Sequence, residues 1–375
     1  MPEIPLNIRF PGGAVGYIGY DTIRFFEKIP DIKPKNLSIY DMFFMFPENL
    51  IIFDNFTHRM YILVLSPNEK PDGNSITEIL NLLRSPLRQK SSKKFTIGEL
   101  KSNLSKKQFE DMVVKSKEYI CNGDIIQVVL SQRFNAKIDV NSLDLYRALR
   151  VINPSPYMFF LDFNDYSLIG SSPEILVRLE NNLVEVRPIA GTRKRGETEE
   201  EDKRLEEELL SDTKEIAEHI MLVDLGRNDV GRIAKIGTVT VPDFMTIERY
   251  SHVMHIVSSV KGVIKEDLDA FDVFKATFPA GTVTGAPKIR SMEIIEELEP
   301  EKREFYAGGV GYFGYNGNMD FCITIRTMLK KKDKIYIQAG AGVVADSIPE
   351  NEYFETINKA KALFKSLTDL KEIIN

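Results

Sequence analysis

Two pairs of glutamates, each three residues apart, are the strongest candidates for chemistry in this 375-residue sequence. They are Glu215 and Glu218 in D-T-K-E-I-A-E-H, and Glu352 and Glu355 in P-E-N-E-Y-F-E-T. Residues three apart share one face of a helix, so each pair can project two carboxylates in the same direction. Carboxylate oxygens suit Mg²⁺, which takes only one or two of them directly. The alternative, a solvated helix face, stays open in a chain that is 28% charged.

Four glycine-rich segments are the second signal for a binding site. Their backbone N–H groups can bind an anion, because successive exposed N–H groups in a turn form a concave donor site. Thr192, Thr282, Lys288 and Arg326 could add side-chain donors. The pattern indicates a small ligand with more than one carboxylate. The segments are P-I-A-G-T-R (188–193), P-A-G-T-V-T-G-A-P-K (279–288), Y-A-G-G-V-G-Y (306–312) and A-G-A-G (339–342).

Other chemistries have weaker support. The series Gly309-x-Gly311-x-x-Gly314 matches the dinucleotide-binding pattern, but it lies in a predicted strand and opens no helix. Cys121 and Cys322 each lie in an apolar run, so we predict neither a disulfide nor a zinc site. No nucleophile elbow or catalytic-cysteine setting occurs, which leaves nucleophilic hydrolysis without support.

Bulk composition excludes two classes of partner. A net charge of −6 does not indicate the basic surface that nucleic acids or anionic membranes bind. The N-terminus lacks the basic and apolar regions of a signal peptide, and no unbroken apolar run reaches the roughly 18 residues that a membrane span needs. We therefore expect a cytoplasmic protein.

The elements that must position these residues mix strands and helices without a regular βαβ period. Residues 8–65 predict antiparallel strands and turns, and residues 67–107 predict a surface connection around one short helix. Ser105 is a typical N-cap for a helix that ends at Gly123. Downstream we expect a strand at 125–134, a helix near 143–151, strands through 158–161, 168–170 and 176–179, and one charged helix at about 199–223.

Two glycine-rich segments resemble one another. They are G-A-V-G-Y-I-G-Y-D (13–21) and G-G-V-G-Y-F-G-Y-N (308–316). Glycines inside a strand let neighbouring backbones approach closely. We therefore expect two related strands within one domain of packed sheets.

Taken together, the motifs resemble the chorismate-utilising enzymes, and among these the large subunits of anthranilate synthases. The resemblance covers about residues 110–365 in the family's order, with weaker likeness back to Pro11. It implies an α+β fold of two packed antiparallel β-sheets with flanking helices. The motifs are G-D-I-I-Q-V-V-L-S-Q-R-F (123–134), N-P-S-P-Y-M-F-F (153–160), G-S-S-P-E (170–174), A-E-H-I-M-L-V-D-L-G-R-N-D (217–229), E-R-Y-S-H-V-M-H (248–255), Q-A-G-A-G-V-V-A-D-S (338–347) and the segments 188–193 and 279–288.

The same likeness implies a single catalytic domain over residues 1–375. Within it, residues 1–66 would form an N-terminal sheet portion, residues 67–107 the surface connection, and residues 108–367 the catalytic core. Glu218 and Glu355 match ligands of Mg²⁺, with Glu215 and Glu352 close behind them. Residues that match positions holding substrate or product carboxylates are Gly191, Thr192, Tyr306, Arg326, Gly340, Ala341 and Gly342.

The implied reaction converts chorismate and ammonia into anthranilate and pyruvate, a lyase reaction that opens tryptophan biosynthesis. Glu174 matches the general acid for the departing hydroxyl, His255 a residue linked to pyruvate elimination, and Thr282 a residue that lines the site. The ammonia would come from a separate glutamine amidotransferase subunit, so a hetero-oligomer is expected.

Two positions discriminate between relatives. Isochorismate- and salicylate-forming relatives place a lysine at Gln127, where it activates water, and glutamine cannot act as that base. Relatives that make aminodeoxychorismate carry a nucleophilic lysine at Ala190, and alanine has no nucleophile. The alternatives are an aminodeoxychorismate synthase and an inactive binding protein of the same fold. An inactive binding protein would be expected to lack some of Glu174, Glu218, His255 and Arg326, and all four are present.

The N-terminal region departs from the family pattern. Large subunits normally begin some dozens of residues earlier, with a Leu-Leu-Glu-Ser stretch that helps to bind tryptophan. The second half of that inhibitor site matches Asn153, Pro156, Tyr157 and Met158. With only this half present, we expect tryptophan to inhibit the chain as numbered here weakly or not at all.

Overall fold

The computed structural model describes residues 8–65, 73–86, 96–250 and 253–368. Part of the predicted surface connection and residues 251–252 of the motif E-R-Y-S-H-V-M-H (248–255) lie outside these residues. The strands are β1 (Gly13–Ile18), β2 (Met42–Met45), β3 (Asn49–Asp54), β4 (Arg59–Val64), β5 (Lys101–Ser102), β6 (Gln127–Lys137), β7 (Tyr157–Asp162), β8 (Tyr166–Ser172), β9 (Ile175–Glu180), β10 (Leu183–Val186), β11 (Ile189–Lys194), β12 (Thr240–Arg249), β13 (Val253–Val263), β14 (Gly285–Ala286), β15 (Gly309–Gly314), β16 (Met319–Ile323), β17 (Thr327–Lys331) and β18 (Lys334–Val343).

The helices are α1 (Gly73–Arg84), α2 (Lys106–Cys121), α3 (Ser142–Ile152), α4 (Glu199–Ser211), α5 (Thr213–Ile233), α6 (Ala270–Thr277), α7 (Lys288–Leu298) and α8 (Pro349–Thr368). Short 3-10 helices span Tyr20–Phe25 and Gly281–Val283. As predicted, Ser105 caps α2, and its side chain accepts a hydrogen bond from the Gln108 N–H. None of the described helices is both long enough and apolar enough to cross a bilayer.

Two antiparallel sheets form the body of the fold, which confirms the predicted fold class. The nine-stranded sheet runs β11-β13-β10-β9-β16-β15-β1-β2, with β12 also paired to β13. The seven-stranded sheet runs β14-β6-β18-β17-β8-β7, with β5 paired to β6. Strands β3 and β4 form a separate hairpin.

A shared apolar layer joins the two large sheets. Tyr17 of the first sheet and Tyr166 of the second are both buried, and their hydroxyl oxygens lie 2.8 Å apart. Phe163 packs between these two rings. Burial of such rings contributes both apolar area and specific edge contacts.

The two similar glycine-rich segments pair directly with each other. Strand β1 runs antiparallel to β15, with Gly13 opposite Gly314 and Gly16 opposite Gly311. A Cβ atom at Gly16 would lie 1.9 Å from the Phe43 carbonyl oxygen of β2. The glycines are therefore required by the close approach of neighbouring strands, as the sequence indicated.

The predicted single helix at 199–223 is wrong. Asp212 adopts an extended backbone (φ −73°, ψ 104°), which ends α4. Its carboxylate then accepts hydrogen bonds from the N–H groups of Lys214 and Glu215 and begins α5, which continues to Ile233. An aspartate that binds the backbone ahead of it favours a helix start over a helix interior.

Candidate active site

A cavity of about 580 Å³ lies where α5 and α8 approach β6, β11 and β18. It is the place where the candidate residues meet. Of the predicted site residues, the cavity is lined by Gln127, Glu174, Gly191, Thr192, Glu215, Glu218, Thr282, Tyr306, Arg326, Gly340, Gly342, Glu352 and Glu355.

Both glutamate pairs face this cavity. Burial raises the pKa of Glu218, and the charges of Glu215 and Glu355 raise it further. Burial also raises the pKa of Glu352, again with a contribution from Glu355. Glu355 therefore lies close enough to repel both Glu218 and Glu352, and Glu215 close enough to repel Glu218, a repulsion that a divalent cation would relieve.

The donor set fits Mg²⁺ better than a softer metal. No three described His, Cys, Asp or Glu side chains are already gathered as ligands of one ion. Mg²⁺ retains waters and needs only one or two carboxylates, so it does not require such a cage. The amide nitrogen of Gln127 donates to Glu218 at 3.3 Å and helps to orient this carboxylate.

Arg326 supplies positive charge on another wall. It is a non-glycine residue with a φ of +51°, a conformation that costs energy and is often found at functional sites. Its Nη1 lies 3.4 Å from the Lys359 carbonyl oxygen, a long hydrogen bond that leaves donors of the guanidinium for a ligand. Burial lowers its pKa, with Tyr306 and Glu355 opposing the effect.

Tyr306 and the glycines of β18 shape the cavity next to Arg326. Burial raises the pKa of the Tyr306 phenol to about 12, so it remains a hydrogen-bond donor at neutral pH. A Cβ atom at Gly340 would lie 2.8 Å from its hydroxyl oxygen. A Cβ atom at Gly342 would lie 2.6 Å from the amide nitrogen of Gln127. Side chains at either position would therefore intrude on groups that line the cavity.

A β-bulge brings β11 into the site. The register between β11 and β13 shifts between Ala190 and Thr192, and Gly191 has a φ of +67°. Glycine adopts that angle without strain. The Nδ1 atom of His255 lies 3.0 Å from both the Gly191 carbonyl oxygen and the Thr192 hydroxyl. His255 itself does not line the cavity and lies directly behind these two residues.

Among the acidic residues that line the cavity, Glu174 has the most strongly shifted pKa. Only 8% of its surface is exposed. Burial raises its pKa to about 8, and the neighbouring Thr282 hydroxyl and the Lys359 charge only partly oppose the rise. A carboxyl group with this pKa is largely protonated at neutral pH and can donate a proton.

Comparison with known proteins shows the family of this chain. The sequence profile of a family described as chorismate binding enzyme matches residues 3–365. The chain belongs to this family. It is 53% identical over 374 residues to anthranilate synthase component 1 of Aquifex aeolicus, with 97% of this chain and 76% of the relative covered. It is 51% identical over 390 residues to the same component of Acetivibrio thermocellus, with 100% and 78% covered.

One solved structure has the same fold over nearly all of this chain. The crystal structure of anthranilate synthase component I from Streptococcus pneumoniae superposes with a TM-score of 0.90 at 45% identity, covering 96% of this chain and 81% of that one. The predicted family and fold are confirmed, and this chain groups with component 1 of the anthranilate synthases.

Two lysines of the cavity were missed by the sequence analysis. Lys359 lies one helical turn after Glu355 on α8, and its Nζ contacts the Glu355 carboxylate at 2.6 Å and the Gly340 carbonyl oxygen at 3.0 Å. Lys214 also lines the cavity. The four-residue spacing from Glu355 to Lys359 was the available signal, because such residues meet on a helix face.

Besides His255, six predicted residues lie outside the cavity: Lys288, whose Nζ contacts Asp229 at 2.7 Å, and the five described next. The Ala341 side chain is fully buried and points to the opposite face of β18 from its glycine neighbours. The segment that contains Asn153, Pro156, Tyr157 and Met158 leads into β7 at the far edge of the seven-stranded sheet. There the Tyr157 hydroxyl donates to Asp320 at 2.8 Å. The assignment of Ala341 to the substrate site therefore stays a prediction.

Proposed function

We propose that this chain is the chorismate-converting subunit of an anthranilate synthase. In this proposal, chorismate and ammonia yield anthranilate, pyruvate and water in a Mg²⁺-dependent lyase reaction. The observation that carries it is the meeting in one cavity of a buried acid with a raised pKa, two glutamate pairs and an arginine with free donors. The identity of about half the residues with component 1 relatives supports the same assignment.

Glu174 is assigned the first proton transfer. Ammonia attacks the ring carbon beside the one that bears the carboxylate, and the ring hydroxyl leaves as water. A hydroxyl group leaves only when it is protonated, and the raised pKa of Glu174 keeps a proton available near neutral pH. The adjacent Thr282 lines the same wall.

His255 is assigned to the second stage, in which pyruvate is eliminated and the ring becomes aromatic. Because it contacts Gly191 and Thr192 but does not itself line the cavity, it would reach the substrate through one water molecule. The Gly191 carbonyl oxygen can only accept, so the Nδ1 atom that faces it at 3.0 Å carries the proton. The neutral ring then presents a lone pair at Nε2. Burial lowers the pKa of His255, which favours this neutral form.

The carboxylates of the substrate are assigned to Arg326, Tyr306 and the backbone of Gly191 and Gly340. Arginine can bind a carboxylate through two parallel N–H groups, and the Tyr306 phenol adds a further donor. Mg²⁺ would be held by Glu218 and Glu355, with Glu215 and Glu352 behind them. When bound, the ion would supply Lewis acidity and a template for the ring carboxylate.

The cellular setting follows from the same proposal. The chain would act in the cytoplasm at the first committed step of tryptophan biosynthesis. It would receive ammonia from a glutamine amidotransferase subunit, since component 1 names one part of a larger enzyme. Cys121 is exposed and Cys322 is buried, and neither lines the cavity, so neither is placed to release ammonia from glutamine there.

Anthranilate fluorescence tests the assignment directly. Purified chain with chorismate, an ammonium salt and Mg²⁺ should form anthranilate, and Glu174→Gln should not. Glutamine should replace ammonium only after an amidotransferase subunit is added. Accumulation of aminodeoxychorismate without anthranilate would instead favour the aminodeoxychorismate synthase alternative, and binding of chorismate without any product would favour an inactive binding protein.

A further inference from the structure

Arg303 is the largest fully buried side chain in the described part of the chain, with 1% of its surface exposed. It precedes Tyr306 by three residues, and the Tyr306 N–H donates to the Arg303 carbonyl oxygen at 3.1 Å. A buried guanidinium needs partners for its five N–H groups and its charge. The positions of these partners indicate the role of Arg303.

The guanidinium joins three separate elements around the cavity. Its Nε and Nη2 bind the Glu299 carboxylate at 2.9 and 2.6 Å. Its Nη1 donates to the Val283 carbonyl oxygen at 2.6 Å, and Nη2 donates to the Val129 carbonyl oxygen at 2.6 Å. Val283 follows Thr282, and both Val129 and Val283 line the cavity.

The same guanidinium packs against aromatic rings. It lies 5.6 Å from the ring centroid of Tyr306 and 4.8 Å from that of Tyr20. A cation near a ring attracts its electron-rich face and restricts the orientation of the ring. Arg303 therefore contacts the ring that carries a cavity hydroxyl, as well as the turn that carries Thr282.

Glu299 fixes the other half of this arrangement. One of its carboxylate oxygens accepts hydrogen bonds from the Ser131 N–H and the Ser131 hydroxyl, both at 2.8 Å. Ser131 lies opposite Gly340 in the pairing of β6 with β18. The ion pair therefore links the Tyr306 ring to the paired strands β6 and β18. Gly340 of β18 is the residue that faces the Tyr306 hydroxyl.

We propose that the Arg303–Glu299 ion pair is a positioning element of the chorismate site, an inference that rests on the proposed function. It sets where the Tyr306 hydroxyl lies relative to Gly340 and Arg326. Neither Arg303 nor Glu299 lines the cavity, so both act through residues that do.

A buried ion pair is a poor choice for stability alone, because the desolvation of two charges offsets most of their attraction. The contribution of the Arg303–Glu299 pair is to fix the geometry of the groups around it. The planar fork of arginine binds one carboxylate and two carbonyl oxygens at fixed angles, and lysine offers only a point charge on a flexible stem. Lysine at this position would keep the charge and lose the geometry.

The test compares Arg303→Lys and Glu299→Gln with the wild-type chain, using chorismate, ammonium and Mg²⁺. We expect KM for chorismate to rise about tenfold or more, as the loss of one well-placed charge-assisted donor does. KM for ammonium and the Mg²⁺ concentration for half activation should change less than about twofold, a difference too small to reflect a lost hydrogen bond. Glu299→Gln keeps the shape of the pair if the lysine variant fails to fold.

Arg24→Lys is the matched control. Arg24 is mostly buried, binds Asp21 and Glu296, and donates to the Pro30 carbonyl oxygen, but it does not line the cavity. This variant should lower thermal stability and leave KM for chorismate unchanged. A purely structural role of Arg303 would give the same result for Arg303→Lys and would contradict the proposal.

A double-mutant cycle with Tyr306→Phe tests the route of the effect. If Arg303 acts by placing the Tyr306 hydroxyl, Arg303→Lys should raise KM for chorismate much less in the Tyr306→Phe chain. Fully additive effects would overturn the proposal. A wild-type chain without anthranilate formation would contradict the proposed function instead, and calorimetric binding of chorismate would then provide the same comparison.

Discussion

The Nδ1 atom of His255 lies 3.0 Å from the carbonyl oxygen of Gly191. This contact assigns the proton of the neutral ring to Nδ1, because a carbonyl oxygen cannot donate. It also couples the histidine to the β-bulge that places Gly191 in the cavity. The orientation of the candidate base and the shape of the anion-binding turn are therefore parts of one arrangement.

His255→Asn should separate the two stages of the reaction. The asparagine amide can replace the Nδ1 donor toward Gly191 but offers no base at the position of Nε2. We expect anthranilate formation to fall about 10²- to 10⁴-fold, the usual contribution of a positioned acid or base. Chromatography of the products should show an aminated intermediate that still carries the enolpyruvyl group. An anthranilate rate near that of the wild type would contradict the assignment.

The pH dependence of kcat/KM should be bell-shaped. The alkaline limb reflects Glu174, whose protonated form is lost as the pH rises through its pKa of about 8. The acidic limb reflects His255, whose basic form is lost as the pH falls through a pKa that burial places below the ordinary 6.5. Rates should be measured at constant free ammonia, since ammonium titrates in the same range. A flat profile from pH 7 to about 9.5 would argue against Glu174 as the acid.

Glu174→Gln should remove activity and increase stability at alkaline pH. The folded-state pKa of about 8 exceeds the ordinary 4.5, so the folded state retains a proton that the unfolded state loses between these values. Folding stability of the wild type therefore falls with rising pH across this window, by at most about 1.4 kcal/mol per pH unit. Urea unfolding should be measured at pH 5 and pH 8.5 without Mg²⁺. From the lower to the higher pH, the free energy of unfolding of the variant should rise relative to that of the wild type. The exposed Glu199→Gln is the control, and an equal response of both variants would refute burial as the cause.

Local sequence patterns predicted those features of the site that depend on residues within a single helix or strand. The spacing of Glu215 and Glu218 indicated a shared helix face, and both line the cavity from α5. The glycine repeats indicated close strand approach, and β1 pairs with β15 glycine to glycine. In each case the cause lies within a few residues of the chain.

Features that depend on distant partners were not predictable in this way. Lys359 enters the cavity because α8 packs on β18, which brings its ammonium group to the Gly340 carbonyl oxygen. The raised pKa of Glu174 arises from burial by several elements. The resemblance marks Ala341 as part of a motif, but it does not show that this side chain is buried on the opposite face of β18 from Gly340 and Gly342, because strand pairing decides that placement.

Gly340→Ala should impair the enzyme more than Gly342→Ala. At position 340 a methyl group would lie 2.8 Å from the Tyr306 hydroxyl and 3.0 Å from the Leu130 carbonyl oxygen, and the backbone cannot move aside. At position 342 it would meet the end of the Gln127 side chain, which can rotate. Overpacking at a rigid site costs about 1–3 kcal/mol, so KM for chorismate should rise between about fivefold and about 160-fold in the first variant. Equal effects of both substitutions would show that the Tyr306 contact is unimportant.

Glu218→Gln should abolish both turnover and the response of the protein to Mg²⁺. The substitution keeps the shape of the side chain and removes the charge that the ion requires. Mg²⁺ that binds the folded state alone stabilises it by an amount that grows with the logarithm of its concentration relative to Kd, so added Mg²⁺ should raise the Tm of the wild type and not that of the variant. Glu350→Gln, an exposed glutamate in the first turn of α8 that pairs with Lys106, should behave as the wild type in both measurements. Full activity of the wild type in excess chelator, or an unchanged Mg²⁺-dependent Tm shift in Glu218→Gln, would show that these carboxylates do not hold the ion.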